Sequence, residues 1–402
     1  MIITTAVDRR FLVGTVMTDL DLLNRTTDTL VEVQDEVLLS RYITPTNLTP
    51  IRDAFLAAYG RGDRVNPVFE YLPLPMDTDA GLARLAAALP SEEPWRNLFR
   101  AELTALRETR AVLRSRSATD MTRYSLEQYG TPDPAVLQSA RDYLATTDAG
   151  RAPAPPDADH QPLTDRWPAE RAARVLETVL DTVGLTNWST EISSHMAARM
   201  SVLGTRRLVR VRHDVDFATA ELRRLIVHEI GTHVFRSANS HLQSPRILAH
   251  GLAGYLSTEE GLAVWHEREF GVTSVEVLRR YALRYVACQS ALMGDFCTVV
   301  DELVPYTTPA EAFEIAVRVK RGLVDTSVPG GFLKDQAYFG GAAEITAHLA
   351  AYPADYELLM ASKWPITKAG LLRELDETDM LRPPMYRTTD ALVSATAVLE
   401  GV

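Results

Sequence analysis

His228-Glu229-Ile230-Gly231-Thr232-His233, preceded by the apolar run Leu225-Ile226-Val227, is the stretch on which the fold and the chemistry of this chain turn. Two histidines and a glutamate on one helix are what metal-assisted hydrolysis uses: the imidazoles bind zinc, and the glutamate takes a proton from the attacking water. In the common form of this pattern the histidines are four apart, about 40° around an α-helix. Here they are five apart, about 140°, too wide for one ion on an ideal helix. A local π-bulge absorbs one extra residue and would return both rings to one face, and Gly231 tolerates such a distortion. The third ligand is expected from a following helix, in Thr258-Glu259-Glu260-Gly261-Leu262-Ala263. Spacing leaves either carboxylate open, although a charged first turn favoured by the helix dipole accounts for Glu259. Three protein ligands would leave the open position that a catalytic zinc requires.

Seven of the nine histidines lie between His195 and His266. His241, His250 and His266 read as surface residues or as supports behind the ligands, and His195 and His213 as structural residues at strand edges. Cys288 and Cys297, nine apart in a helical run, have no metal spacing and read as buried thiols.

Outward from the motif, the helix that carries it should start at about Ala218. Two β-like runs precede it, Ser189 to Val202 and Arg206 to Arg212, with Gly204-Thr205 near the turn. The second alternates apolar and basic residues as an edge strand with one wet face would, and could accept an extended peptide by strand addition. A helix from about Ala169 to Val183 comes before them, and everything after Glu259 reads as mainly helical. In the first 150 residues helical spacing recurs from about Asp19 to Leu39, Thr49 to Tyr59, Glu93 to Ser115, and from Asp133-Pro134 to about Ala145. Asn66 to Tyr71 reads as extended. The expected architecture is α+β: mainly helical, with a small antiparallel sheet beside a metal-binding helix. The expected division is an N-terminal helical region at 1–147, a Pro-rich linker at 148–168 and a zincin-like peptidase domain at 169–402.

The chain has 402 residues and a formal net charge of −11, which disfavours a phosphate backbone as partner and so a nucleic-acid role. No run of about 18 uncharged apolar residues occurs, and Asp8-Arg9-Arg10 stands where a secretory signal needs an apolar core. A cytoplasmic protein without a membrane partner is expected. Two cysteines are too few for a disulfide framework. For a peptide substrate, Lys320, Arg321 and Lys334 are the candidates to hold a terminal carboxylate through charge-assisted hydrogen bonds. Tyr338 is the candidate donor to the oxyanion.

The motif, followed by Glu259-Glu260-Gly261-Leu262-Ala263, resembles the microtubule-associated tyrosine carboxypeptidase family, whose bacterial members carry the label of QEGLA-motif proteins. Thr44-Pro45-Thr46-Asn47 and Pro67-Val68-Phe69-Glu70-Tyr71 resemble its N-terminal marks. Arg321-Gly322 and Gly330-Gly331-Phe332-Leu333-Lys334-Asp335-Gln336-Ala337-Tyr338 resemble its C-terminal block. The resemblance implies a zinc carboxypeptidase with His228, His233 and Glu260 as ligands and Glu229 as general base, removing a C-terminal, aromatic residue from a peptide or protein. Glu259 stands where the bacterial label has Gln. The eukaryotic relatives act on the acidic tail of tubulin, which a chain of charge −11 would oppose, so a bacterial peptide is the expected substrate. Two alternatives stand beside this one: an endo- or aminopeptidase that matures a peptide precursor, and a metal-binding regulator. Against the regulator is the intact Glu229, which metal binding alone does not need.

Overall fold

The computed structural model describes residues 20–36, 39–74, 79–93, 95–148, 166–194, 196, 198–389, 392, 396 and 399. Most of the Pro-rich segment read as a linker, 149–165, lies outside them, as does His195.

Among the described residues seven helices fill the first part: α1 (Leu20–Glu36), α2 (Leu39–Tyr42), α3 (Leu48–Gly60), α4 (Asp79–Ala87), α5 (Trp95–Ser115), α6 (Ala118–Tyr129) and α7 (Pro134–Asp148). In α5, Trp95, Leu98, Phe99, Leu103, Leu106, Val112 and Leu113 recur at helical spacing and all are buried. α6 begins where the Ser117 side chain accepts from the Asp120 N–H, an N-cap that apolar periodicity alone does not reveal. After β1 (Arg166–Pro168) come α8 (Ala169–Thr182), β2 (Ser189–Ser193), β3 (Met200–Leu203), β4 (Leu208–Arg212) and β5 (Asp216–Ala218). The central helix follows in three parts: α9 (Thr219–Leu225), a π-helical segment π1 (Ile226–Val234) and α10 (Phe235–Ser240). The remainder is helical: α11 (Tyr255–Glu269), α12 (Val275–Met293), α13 (Phe296–Leu303), α14 (Pro309–Lys320), α15 (Gln336–Ala351), α16 (Asp355–Ala361) and α17 (Ala369–Glu377).

The β structure is richer than one antiparallel sheet. β1 and β5 form a two-stranded antiparallel pair, and β2, β4 and β3 a mixed sheet in that order. β2 runs parallel to β4, and β3 antiparallel to it. The run Ser189 to Val202 therefore divides into two strands lying on opposite sides of β4. This overturns the edge-strand reading of Arg206 to Arg212: with both flanks of β4 occupied, no peptide can add to it. Alternation reports one wet face but says nothing about whether the strand's flanks are free.

Three large apolar clusters hold these layers together. One joins the mixed sheet and α8 to the inner side of the central helix through Val209, Val211, Ile226, Ile230 and Val234. A second packs Leu30 of α1 and Phe99 of α5 against Leu262 of α11, Ile345 of α15 and Trp364. The third places Phe55 of α3 and Ala140 of α7 among residues of α12, α13 and α14. Two of the three thus draw on both sides of 149–165. The extended segment 66–71 is a brace in the same sense: Phe69 N–H donates to the Val324 carbonyl at 3.2 Å, and the Tyr71 hydroxyl donates to the Leu323 carbonyl at 2.7 Å. The sequence marks near 70 and 321 are thereby two halves of one contact. Among the described residues no helix is long and apolar enough to cross a membrane.

Candidate active site

Three elements build the site: π1 supplies His228, Glu229 and His233, α11 supplies Glu259, Glu260 and Glu267, and the turn into α15 supplies Lys334. The five-residue spacing is resolved as the 140° argument requires. Helical hydrogen bonds lengthen by one residue, as where the Phe235 N–H donates to the Ile230 carbonyl, and the rings of His228 and His233 come to 4.9 Å between centroids. Gly231 serves a different end from the one expected. Its φ is not in the left-handed region; a Cβ there would stand 2.9 Å from Leu392 and 3.0 Å from Thr388. The Thr388 hydroxyl also donates to the Gly231 carbonyl. Glycine is there for space: the C-terminal segment lies directly on the π-helix.

The His228 and His233 nitrogens and a Glu260 oxygen lie within 4.8 Å of one another. His228 Nε2 is 3.5 Å and His233 Nε2 3.7 Å from the same Glu260 Oε2. These distances are long for hydrogen bonds. They match the separation of about 3.4 Å between donor atoms that each lie about 2.1 Å from a tetrahedral ion. A divalent metal fits this donor set.

Each imidazole is fixed from behind. His228 Nδ1 is 2.7 Å from Glu267 Oε1, and His233 Nδ1 is 3.0 Å from Glu259 Oε1. These bonds set the tautomer that leaves Nε2 free for a metal and raise its basicity. Glu267 is in turn held by Arg224 at 2.7 Å and by the Tyr281 hydroxyl at 3.2 Å. Glu259 is held by Lys363 at 2.9 Å and by Arg236, itself fully buried. Burial works against charge on Glu259, but Lys363 and Arg236 outweigh it and hold the carboxyl well below the usual range. Glu260 follows the same pattern: burial is outweighed by His228 and Lys334, and its pKa falls to about 2. Burial opposes charge on His228 too, yet Glu260 and Glu267 raise its pKa to about 10 in the absence of a metal.

Glu259 is therefore not a first-turn charge: it is the fifth residue of α11, buried, and bonded to His233. Glu229 is also buried and has no hydrogen-bond or ion-pair partner among the described residues, so its carboxylate is uncommitted. Tyr338 stacks on Tyr281 at 5.1 Å with the rings 4° apart, and its hydroxyl has no described partner. Burial pushes that phenol well above its ordinary pKa, so it remains a neutral donor. Lys334 Nζ is 3.6 Å from Glu260 Oε1.

Lys320 does not belong with these residues. It is fully buried, and its ammonium donates to the carbonyls of Gly294 at 2.6 Å, Gly330 at 2.8 Å, Val328 at 2.9 Å and Ala291 at 3.2 Å. It pins the end of α12 to the loop before α15, and a helix-end lysine with that role is indistinguishable in sequence from a solvated one. Arg321, the next residue, is half-buried, its guanidinium 5.0 Å from the Phe332 ring centroid.

His266 is a core residue, bonded to Thr232 at 2.7 Å and to the Tyr356 hydroxyl at 3.1 Å; burial pushes its pKa down to about 3, so it is neutral. His241 bonds the Ser237 carbonyl at 2.7 Å, and His250 is driven down to about 4 by burial. Both cysteines are buried free thiols, as expected. Glu267, Arg224, Arg236 and Lys363 were not anticipated. One signal was present for Glu267: it lies seven residues beyond Glu260, two turns along the same face of α11.

The family model for microtubule-associated tyrosine carboxypeptidases matches residues 53–399. The mouse protein MATCAP2 is 35% identical over 182 residues, 43% of this chain and 34% of the relative. Human microtubule-associated tyrosine carboxypeptidase 1 is 35% identical over 164 residues, 40% of this chain and 32% of the relative. Its rat counterpart is 36% identical over the same length, with the same coverage. The chain thus spans about a third of the length of these relatives.

Proposed function

This chain belongs to the microtubule-associated tyrosine carboxypeptidase family, and from that premise we propose that it is a zinc-dependent carboxypeptidase. The observation that carries the reading is the convergence of two Nε2 atoms on Glu260, each imidazole backed by its own carboxylate. His228, His233 and Glu260 would hold the ion. Zinc bound there would supply Lewis acidity to the scissile carbonyl and to the attacking water.

The remaining chemistry falls to the chain. Glu229 takes a proton from the water as its oxygen attacks the carbonyl carbon, then gives it to the amine nitrogen as the C–N bond breaks. Tyr338 donates to the carbonyl oxygen as negative charge gathers there. Lys334 sets a cation beside the same centre and favours a substrate with an anionic end. The substrate is a peptide or protein with a free C-terminus, and an aromatic last residue is the preferred one by likeness to the tyrosine carboxypeptidases named above. Two buried free thiols suit a cytosolic setting.

A mass-spectrometric cleavage screen tests this. Wild type and Glu229→Gln, both with zinc quantified, meet a peptide library varied at its last residues, each peptide as free acid and as C-terminal amide. The expected outcome is loss of one C-terminal residue from free acids only. Glu229→Gln should keep its zinc and be slower by at least about a hundredfold. Internal cleavage, or cleavage of amides, would replace the carboxypeptidase by another peptidase. Stoichiometric zinc with no cleavage of any peptide would replace it by a metal-binding regulator.

A further inference from the structure

Beside Glu260, the residues that precede and open α15 carry positive charge that their neighbours do not neutralise. Three arginines gather around one buried acid, Asp335. Arg318 of α14 donates to both of its oxygens, at 2.8 Å through Nη2 and also through Nε. Arg284 of α12 stands off, its Nε 3.8 Å from Asp335 Oδ2, beyond hydrogen-bond reach. Arg321, at the end of α14, rests on Phe332. Neither guanidinium, of Arg284 or of Arg321, has a hydrogen bond to a described residue, and the Nε of each is sealed from water. Lys334 adds a fourth cation. Against these four stand Asp335 and Glu260, and the charge of Glu260 is taken up by a metal when one is bound.

Both side chains are half-buried, and a guanidinium so placed without acceptors is costly unless something completes it. Burial and the neighbouring Arg318 depress the pKa of Arg284 and of Arg321 by more than Asp335, already gripped by Arg318, raises it. Arg284 also adjoins the site. The Arg284 guanidinium lies 5.3 Å from the ring centroid of Tyr338 and 5.9 Å from that of Tyr281.

We propose that Arg284 and Arg321 receive the terminal α-carboxylate of the substrate, and that Asp335, gripped by Arg318, is the positioning residue for both. This rests on the carboxypeptidase reading and gives it a second anchor point. The peptide is held by its last carboxylate on one side of Tyr338, and its last peptide bond lies toward Glu260. A guanidinium pair matches a carboxylate in geometry as well as charge, which a lysine alone does not.

The test measures binding without turnover. Zinc-loaded Glu229→Gln protein is titrated calorimetrically with acetyl-Ala-Ala-Ala-Tyr as free acid and as amide; both contain a carbonyl for the metal, and only one has the terminal charge. The free acid should bind at least about tenfold more tightly. Adding Arg284→Met or Arg321→Met should reduce that ratio to below about threefold, with zinc content and thermal midpoint unchanged. Arg284→Lys should recover part of it, and carries the test with Arg321→Met should Arg284→Met fail to fold. A ratio that survives both Met variants overturns the assignment. So does acetyl-Ala-Glu-Glu-Tyr amide binding as tightly as the free acid, because the arginines would then be reading acidic side chains. Absence of any free-acid preference before the arginines are changed would overturn the carboxypeptidase reading itself.

Discussion

Gly261, the residue after the proposed third ligand, should be one of the hardest glycines to replace, for a reason that can be given in ångströms. A Cβ built on it falls 2.5 Å from the Gly341 carbonyl carbon, 2.6 Å from its oxygen and 3.0 Å from its Cα. Carbon atoms in comfortable contact stand about 3.5–4.0 Å apart, so Gly261→Ala is short of room by roughly 1 Å. The obstacle is main chain and cannot rotate aside; α11 and α15 must part. Overpacking costs about 1–3 kcal/mol, and a backbone obstacle puts this case at the upper end. Alanine's better helix propensity offsets about 1 kcal/mol. The expected net loss is therefore about 2 kcal/mol. Parting the helices also draws Tyr338 away from Glu260, so peptide cleavage should fall further than the stability loss explains. Gly370 is the control: it lies in α17 with nothing within 4 Å of its built Cβ, and Gly370→Ala should be neutral or stabilising by up to about 1 kcal/mol. Urea unfolding of both variants against wild type measures the difference, read as midpoint shifts at constant slope. A Gly261→Ala midpoint at or above that of Gly370→Ala would refute the close-approach argument.

Other expectations follow from single residues. Glu267→Gln removes the charge behind His228, and metal affinity, measured by competition with a chelator, should fall about 10–100-fold; an unchanged affinity would remove Glu267 from the account. Burial raises the pKa of Glu102 to about 7, although the Ala253 N–H favours its ionised form. The folded state therefore holds a proton that the unfolded state releases between about pH 4.5 and 7, and this group's contribution to stability declines as pH rises through that window. Glu102→Gln should flatten that decline and raise the thermal midpoint at pH 8 more than at pH 5; equal shifts at both would count against it. Lys320→Met strands four carbonyls and should cost at least about 3 kcal/mol in denaturant unfolding, while turnover per folded molecule stays near wild type.

What could be read from sequence was whatever lies on one element. α5 shows its buried face in its own apolar spacing. The π segment follows from two residue numbers and the pitch of a helix, because histidines 140° apart cannot share an ion. Residues that act across elements were not legible. Glu267 and Lys363 resemble any other surface charge until α11 and the loop before α17 are placed against the central helix, and only Glu267 left a trace in its spacing from Glu260. Lys320 and Arg321 are neighbours in sequence with opposite fates, because the chain leaves α14 between them. For β4 the alternation was read correctly and its meaning was not. Strand order depends on which distant segment reaches each flank, and the parallel partner β2 comes from before the intervening β3.

The π segment also constrains the history of this chain. Deleting one residue between His228 and His233 would restore a four-residue spacing and ordinary α-helix. Because the π segment has already taken up that residue, everything beyond would keep its face, and Val234 and Phe235 would stay in the core they share with Ile226 and Ile230. The core therefore does not hold the spacing in place; what the extra residue specifies is the local backbone between the two histidines. Histidines five apart around a glutamate need that segment, which a regular helix does not supply, and are for that reason a more exclusive mark of common descent than the four-apart form.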